Sequence, residues 1–294
     1  MGIGSQELSS AGYLYLRRLN MGNIRQLLFF AFAWASLGAW AQRSQELTVS
    51  WGGTHLMSDV GPAGPNLPQG GSWDVDYRLQ AHPHYAFHLG YSEGVLEAND
   101  ALSTWAERQQ RQFHVQTPFR SVQARMEVDF FPQNIPSFRF QHSPYLFAGL
   151  GLLSFEPRGY YQGEWIPLQP LGTEGQGTSV NPEARYATRA RTLPFGLGWR
   201  AQLNAFWVVN MEATWTQTTT DYLDDVHGTY ADATVIQESY GDAAAYFADP
   251  SGLNLPVGMA RGNAQTTDSY FVLRLGMGLH LEAFMEKCAS FLYR

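Results

Sequence analysis

Ionisable side chains recur at every second position of several segments of this sequence, opposite apolar residues. The set is Arg78, Arg125, Arg200 and Arg274 with Asp74, Asp76, Glu127, Asp129, Glu212 and Glu282. Such groups could pair with one another in an interior, or could line a path for protons or ions. Buried charges are stable only when they are paired, and no further feature of the sequence supports a path. We therefore expect an internal lattice of ion pairs.

Two smaller groups of residues could bind a metal ion. His84 and His88 fall on the same face of one segment, but a metal site needs at least one more converging ligand, so we expect hydrogen-bonded histidines. Asp221, Asp224 and Asp225 crowd a short stretch and offer the oxygen ligands that calcium prefers. Their spacing does not match an EF-hand loop, so a solvated acidic turn is favoured over a calcium site.

The sequence contains no recognisable catalytic motif. It lacks GxSxG, HExxH and P-loop patterns, and no partner can be assigned to His280 as a catalytic base. We therefore predict no catalytic residue, no metal and no cofactor. The net charge of −7 offers no basic face for nucleic acid, and the single cysteine excludes an intramolecular disulfide.

The amino-terminal region predicts export. Residues 21–41 combine Arg25, an apolar run from Leu27 to Trp40 and a small-x-small site that ends at Ala41, as in a cleaved signal peptide. The run is too short to span a bilayer as a helix. We interpret residues 1–20 as an upstream extension that precedes the true start.

The ionisable positions belong to eight segments in which apolar and polar residues alternate with the period of a β-strand. These segments are residues 47–54, 73–80, 84–92, 121–130, 144–155, 192–203, 207–216 and 270–282. Alternation also occurs in soluble sandwiches. The segment length, however, suits a tilted crossing of a bilayer, and aromatic residues near the segment ends suggest interfacial girdles. The aromatic residues are Trp73, Tyr85, Tyr91, Tyr145, Phe155, Trp207 and Trp215.

The connections between segments alternate in length. Residues 55–72, 93–118, 156–190 and 218–268 form long connections, whereas residues 81–83, 131–143 and 204–206 form shorter ones. Long external loops and short periplasmic turns characterise bacterial barrels. The prediction is an all-β, eight-stranded antiparallel transmembrane barrel over residues 42–284, in the lipid of the outer membrane. Both termini are periplasmic, and residues 285–294 form a periplasmic tail.

The predicted periplasmic side carries a candidate partner surface. Phe138, Arg139 and Phe140 lie in the turn, and Lys287 and Cys288 lie in the tail. Aromatic residues and arginine are enriched at interface hot spots. The alternative, that the two phenylalanines rest in the membrane interface, stays open.

Two loop stretches and several shorter ones resemble a known family. The stretches are Leu168-Gln169-Pro170-Leu171-Gly172-Thr173-Glu174-Gly175-Gln176-Gly177 and Thr220-Asp221-Tyr222-Leu223-Asp224-Asp225-Val226. Together with Trp51-Gly52-Gly53-Thr54, the segment Tyr145–Gly151 and the Lys287-Cys288 tail, they resemble a Bacteroidota family of small outer-membrane barrels that includes PorG of the type IX secretion system. The long loop at residues 231–267 shows no such match.

The resemblance implies a non-enzymatic accessory of that secretion system, in contact with a periplasmic ring of PorK and PorN-type proteins. The residues themselves leave two alternatives open. One is an adhesion or recognition barrel that acts through its external loops. The other is a lipid-modifying barrel enzyme, which would need a serine and a histidine close together near the membrane.

Overall fold

The computed structural model describes residues 44–285, except residues 63, 65 and 134–140. The strands are β1 Gln45–Met57, β2 Gly70–His82, β3 Tyr85–Asn99, β4 His114–Asp129, β5 Gln141–Phe155, β6 Arg158–Tyr161, β7 Glu164–Pro167, β8 Arg189–Gln202, β9 Trp207–Thr218 and β10 Ser269–His280. The α-helices with assigned bounds are α1 Ala106–Arg111, α2 Ala233–Tyr240 and α3 Asp242–Ala248. No helix in these described ranges is long and apolar enough to cross a membrane. The predicted signal peptide and upstream extension lie outside the described residues.

Eight of the strands close into an antiparallel barrel. The order is β1, β2, β3, β4, β5, β8, β9 and β10, and β10 returns to pair with β1 from Glu46–His280 to Met57–Ser269. This closure confirms the predicted eight-stranded barrel. We call the end that carries the connections after β1, β3, β5 and β9 the loop end, and the opposite end the turn end. The first residue of β1 and the last of β10 both lie at the turn end.

The outward face of the barrel carries a ring of exposed apolar side chains. Leu150 is 67% exposed and Leu275 is 60% exposed. Further members of the ring are Leu89, Val122, Met126, Leu146, Leu152, Leu193, Phe195, Leu197, Met211, Leu273 and Met277. Of the aromatic residues predicted for the girdles, Tyr145 and Phe155 are buried and point into the barrel instead, because they occupy inward positions of β5. Soluble monomers rarely expose an apolar surface of this extent.

The inward face changes character along the barrel. Toward the turn end it is lined by charged residues, among them Arg78 and Glu127, which are 1% and 0% exposed. Toward the loop end the inward residues become apolar and join a hydrophobic cluster with residues of the connections. This loop-end core includes Leu56, Leu96, Phe113, Val115, Phe119, Leu153, Phe155, Leu168, Leu223, Val226, Phe247, Tyr270 and Val272. The loop end is therefore packed like the interior of a soluble protein.

Strand β5 explains why its segment does not alternate clearly. Its inward positions hold Tyr145, Phe147, Leu153 and Phe155, while Gly149 lies between them. A Cβ atom at Gly149 would approach the carbonyl oxygen of Ala124 to 2.2 Å, so this position admits only glycine without movement of the neighbouring strand. Large inward side chains and glycine thus alternate with outward leucines, and both faces look apolar in the sequence.

The long connections contain regular structure that the alternation does not predict. β3 and β4 continue beyond residues 92 and 121 to pair as far as Asn99 with His114. In the connection after β5, the hairpin of β6 and β7 adds to the edge of β4 through Val115 and Gly159. In the last connection, α2 and α3 pack through Ile236, Ala244 and Ala248. We call the connections together the cap.

Candidate functional site

Glu127 on β4 is the centre of the charged lumen. Its Oε1 accepts hydrogen bonds from Arg78 Nε at 2.9 Å, Arg78 Nη2 at 2.6 Å and Arg200 Nη1 at 2.6 Å. Its Oε2 lies 2.9 Å from His88 Nε2. Arg78 also donates to Asp129 Oδ2 at 2.9 Å. One carboxylate therefore connects side chains from β2, β3, β4 and β8.

A second cluster surrounds Arg125, one inward position along β4. Arg125 Nη1 donates to Glu212 Oε2 at 2.9 Å, and Nη2 donates to Asp76 Oδ2 at 2.7 Å. The Tyr145 hydroxyl donates to Glu212 Oε1 at 2.9 Å. Asp76 Oδ1 also contacts Nδ1 of His88, which connects this cluster to the Glu127 cluster. The two clusters thus form one network across the barrel.

Aromatic rings fill the remaining space beside the arginines. The guanidinium of Arg125 lies 4.7 Å from the ring centre of Phe147, and that of Arg200 lies 5.1 Å from the ring centre of Tyr145. A cation over an aromatic face is stabilised by the quadrupole of the ring. These inward aromatics therefore pack against the charged groups of the lumen.

The network is looser toward the middle of the barrel. Arg274 Nη1 lies 3.6 Å from Asp74 Oδ2, which is an ion pair at a separation wider than a good hydrogen bond. Both side chains are buried, with 4% and 3% exposure. This pair sits between the dense clusters and the loop-end core.

The structure places all the predicted lattice residues inside the barrel except Glu282. β10 ends at His280, and Glu282 lies in the following helical turn, where it is only partly buried. The expectation that the strand runs through residue 282 is wrong, because the chain turns into a helix once it leaves the barrel. Glu282 therefore belongs to the turn end and not to the lumen.

Sequence reasoning missed one acidic member of the lattice. Glu46 is 1% exposed, accepts from Thr48 Oγ1 at 2.8 Å, and lies 3.7 Å from Arg200 Nε and 4.0 Å from Arg78 Nη1. The same alternation that places Thr48 inward would have found it, had the first segment been extended by one residue. His88 has the hydrogen-bonded role expected for it, with Asp76 and Glu127 as its two acidic partners.

The two family-like loop stretches meet in the cap. Asp225 Oδ2 accepts from Thr173 Oγ1 at 2.5 Å, and Oδ1 accepts from the Tyr186 hydroxyl at 2.6 Å. Glu174 Oε1 accepts from the backbone N–H groups of His227 at 2.9 Å and Gly228 at 3.0 Å. The acidic residues of both stretches thus fasten the connection after β5 to the connection after β9.

The other marked residues of these stretches shape the backbone. Leu168 is buried in the loop-end core, and Gln169 and Pro170 open a short 3₁₀ turn. Gly172, Gly175 and Gly177 have φ values of 55°, 78° and 81°, a region in which residues with a side chain are disfavoured. The ring of Tyr222 stacks on that of Tyr186 at 4.2 Å.

Two buried arginines complete the cap. Arg261 Nη1 donates to Glu174 Oε1 at 3.1 Å and to the Asp225 carbonyl oxygen at 2.8 Å, and it comes from the loop for which the sequence shows no family match. Arg111 donates to Asp100 at 2.7 and 3.0 Å and to the Asp59 carbonyl oxygen at 2.6 Å. The cap is therefore cross-linked by charge-assisted hydrogen bonds.

Asp221, Asp224 and Asp225 do not form a solvated acidic turn, because all three are buried. Asp221 contacts Nδ1 of His227 at 2.6 Å, while Asp224 accepts from Val60 N at 3.1 Å and Val226 N at 2.9 Å. The three carboxylates have different partners and are not arranged around one point. Within the described residues, no group of three or more His, Cys, Asp or Glu side chains is arranged to hold a metal ion.

Burial of these cap carboxylates changes their acidity. Loss of solvent, together with the charge of Asp59, raises the pKa of Asp224 to about 7. Loss of solvent also raises the pKa of Asp221 to about 6 and that of Asp225 to about 6, the latter against the opposing effect of Arg261. The pKa of Asp268 is raised as well, by burial and by the neighbouring Asp224 and Asp221. The cap thus contains carboxyl groups that take up protons near neutral pH.

The predicted partner residues Phe138, Arg139, Phe140, Lys287 and Cys288 lie outside the described residues. The described residues that flank them at the turn end include exposed Phe130, Phe131, Phe284 and Met285. Apolar side chains are therefore accessible at the described residues nearest to these positions in the sequence.

The family comparison gives one match. The model of the family DUF6089, a domain of unknown function, matches residues 25–242. Among curated proteins, none matches this sequence.

Several solved structures are similar to this chain at low sequence identity. The attachment invasion locus protein Ail of Yersinia pestis, in complex with the heparin analogue sucrose octasulfate, is 10% identical, with coverage of 81% of this chain and 97% of that chain and a TM-score of 0.38. Neisserial surface protein A is 9% identical, with coverage of 81% and 97% and a TM-score of 0.37. The outer membrane protein OprG of Pseudomonas aeruginosa is 10% identical, with coverage of 81% and 94% and a TM-score of 0.35.

Proposed function

This chain belongs to the DUF6089 family, a domain of unknown function, and we propose that it is an outer-membrane β-barrel that acts as a structural component. The observation that carries the proposal is the exposed apolar ring around a lumen filled with paired charges. Inward polar and outward apolar residues are the arrangement of a barrel in lipid. An apolar ring in water would be strongly unfavourable, because each buried apolar Å² contributes about 25 cal/mol.

The filled interior favours a structural role over the transport of a solute or the conversion of a substrate. An eight-stranded barrel is just wide enough for side chains to fill it, and here Glu127, Arg78, Arg125 and Arg200 are at most 4% exposed. The loop-end core closes the barrel above them. We accordingly propose that the protein is not an enzyme and that its outer surfaces contact other molecules.

At finer detail, we propose that the protein is an accessory of the type IX secretion system that contacts a periplasmic ring of PorK and PorN-type proteins. The support is the resemblance of the loop stretches to the Bacteroidota family that includes PorG. The exposed Phe130, Phe131 and Phe284 at the turn end also suit a surface that binds a partner, since aromatic residues are enriched at such surfaces.

The alternative is a recognition barrel that acts through the cap. Trp105, Leu253, Val257 and Met259 are exposed there at 53%, 59%, 67% and 49%. Trp105, Leu253 and Met259 border a cavity of about 360 Å³ together with Arg108 and Arg111. An exposed apolar patch on an ordered cap suits the binding of an external partner.

Co-purification from cells distinguishes the two functions. Wild-type protein is compared with a turn-end variant, Phe138, Arg139 and Phe140 to serine, and with a cap variant, Trp105 and Leu253 to serine. If the protein serves secretion, the wild type and the cap variant recover ring proteins, the turn-end variant recovers less, and deletion of the gene leaves secreted cargo in the periplasm.

The opposite pattern contradicts the secretion function. Wild-type protein that recovers no ring protein, with normal secretion after deletion, would leave the recognition function in its place. Loss of surface binding in the cap variant alone would then identify the cap as the binding surface. Heat-dependent mobility of all variants on detergent gels checks that each barrel is folded.

A further inference from the structure

Outward-facing arginines occur at one place in the barrel wall. Within the eight barrel strands, the arginines Arg78, Arg125, Arg200 and Arg274 are buried in the lumen. The remaining ones, Arg120, Arg189 and Arg191, are exposed and lie on β4 and β8. These two strands flank β5 on either side, so the three cations share one sector of the barrel.

The strand register arranges these residues in two rows. Arg120, Ser154 and Arg189 are direct neighbours across β4, β5 and β8. Val122, Leu152 and Arg191 form the next outward row, two residues deeper. Strands lie about 4.8 Å apart, which places Arg120 and Arg189 roughly 10 Å from each other, on either side of Ser154. Their side chains can therefore approach a single group from both sides.

A groove connects the two rows. It has a volume of about 680 Å³ and is lined by the three arginines, Ser154, Val122 and Leu152. Val122 and Leu152 are 50% and 66% exposed and belong to the apolar ring. The row of Arg120, Ser154 and Arg189 faces the loop end, and the row of Val122, Leu152 and Arg191 faces the middle of the membrane. The groove thus offers two cations above, and hydrocarbon contacts beside the third cation, Arg191, below.

The charges of the groove are only partly neutralised by the protein. Arg120 Nε donates to Glu93 Oε1 at 3.1 Å. Among the described residues, Arg189 and Arg191 form no salt bridge to a carboxylate. Two cations therefore remain unpaired at this depth, in a chain whose net charge is −7.

We propose that this groove binds a lipid whose headgroup carries a phosphate monoester, with the phosphate between the arginines and an acyl chain along Val122 and Leu152. The inference rests on the proposed position of the barrel in a membrane. A phosphate monoester has a charge of about −1.5 to −2 at neutral pH, which matches two unpaired guanidinium groups. Arginine binds phosphate oxygens through paired N–H donors.

Single arginines at a membrane surface often extend toward headgroups without selecting a lipid. Selection is expected here because the cations converge on one groove, while the outward faces of β1, β2, β3, β9 and β10 carry neither arginine nor lysine. Lipids that contact the outward faces of these described strands consequently meet no arginine or lysine there. The sector of β4, β5 and β8 should therefore retain a phosphorylated lipid while the lipids around the other strands exchange with the bilayer.

Binding is tested with the folded barrel in phosphatidylcholine vesicles to which phosphatidic acid of the same acyl chains is added. We expect wild-type protein to bind phosphatidic acid in preference to phosphatidylcholine. The variant with Arg189→Gln and Arg191→Gln should bind it roughly thirtyfold more weakly, a factor of about five for each basic residue near the surface. The matched control, Arg158→Gln with Arg185→Gln, removes two charges from the cap and should bind as wild type does.

A second comparison separates a lipid from free phosphate. Leu152→Ala should weaken the binding of phosphatidic acid, and inorganic phosphate should not displace the lipid. Equal binding of both lipids, an unaffected Arg189 and Arg191 variant, or displacement by inorganic phosphate would each overturn the lipid site. If one of these results overturns the lipid site, heat-dependent mobility of the inserted barrel would still support the proposed membrane location. Failure of wild-type protein to insert into vesicles would overturn both the lipid site and the membrane location.

Discussion

Removal of Glu127 should destabilise the barrel far more than removal of an exposed glutamate. Glu127 is fully buried and accepts hydrogen bonds from Arg78 and Arg200. In Glu127→Ala, Arg78 keeps Asp129 at 2.9 Å, but Arg200 is left with the carboxylate of Glu46 at 3.7 Å. Loss of one partner of a buried pair typically costs about 3–5 kcal/mol, and we expect the free energy of unfolding to fall by that amount.

The matched control is Glu156→Ala. Glu156 also pairs with an arginine, Arg158, but both side chains are about half exposed, at 46% and 40%. Exposed pairs contribute roughly 0–1 kcal/mol, so this variant should unfold close to wild type. The assay is urea unfolding of the barrel in lipid vesicles, followed by tryptophan fluorescence and by loss of heat-dependent mobility on gels.

A double variant adds a second criterion. Arg200→Met in the Glu127→Ala background removes the charge that was left without its closest partner, so part of the lost stability should return. If Glu127→Ala unfolds at the same urea concentration as Glu156→Ala, the lumen is solvated and the reasoning is refuted.

Three further predictions concern the apolar ring, the cap and the lumen. Leu275→Arg places a charge in the apolar ring and should lower the stability of the folded barrel in vesicles by roughly 2–4 kcal/mol near the midplane; an unchanged urea midpoint would show that this face does not contact lipid. The raised pKa values of Asp224 at about 7 and of Asp221 and Asp225 at about 6 mean that the folded cap binds protons more tightly than the unfolded chain does. This contribution to the stability of the cap is present in full below about pH 4 and is lost as the pH rises through 6 to 7. Proteolysis within residues 219–268 should therefore be slower at pH 5 than at pH 8, once corrected for the activity of the protease. Planar-bilayer recordings should show no stable conductance, since paired charges and the loop-end core fill the lumen; a reproducible open channel would contradict this.

Alternation predicts the face of each strand residue but not its partner. Because side chains alternate with a period of two, Arg125 and Glu127 must point inward if Val122 and Met126 point outward. The face of these residues can therefore be predicted from the sequence. The pairing of Arg125 with Glu212 cannot be deduced in this way, since β4 and β9 are not neighbours in the sheet. Their contact depends on the stagger of the strands around the closed barrel, which the sequence pattern does not express.

The cap was beyond sequence reasoning for a different reason. α2 and α3 have only 8 and 7 residues, too few for helices that are stable by themselves. They are stabilised by contacts with distant residues, as where the ring of Phe247 packs against that of Phe113 at 6.3 Å. A lone Arg261 in a polar loop likewise gives no sign that it is buried against Glu174. The two family-like loop stretches could be singled out by resemblance, but the sequence does not predict that they contact each other.

On each of β4 and β8 the outward and inward faces change chemistry within two residues of each other, and the change on β8 lies one row deeper than that on β4. Under the proposed membrane location, these changes mark the boundary of the lipid. On β4 the outward residues change from Val122 to Arg120, while the inward residues change from Ser121 to Phe119. On β8 the outward residues change from Leu193 to Arg191 as the inward ones change from Thr192 to Ala190.

These coincident changes have one physical cause. Below this level the outside is apolar and the narrow interior must satisfy polar groups within itself. Above it the outside meets water, so the wall can bury apolar side chains inward as a soluble protein does. The loop-end core begins where the lipid ends, and Arg120, Arg189 and Arg191 lie near that boundary. A lipid phosphate held there would therefore be positioned by the fold itself, because the same boundary that sets the cap sets the depth of the headgroup.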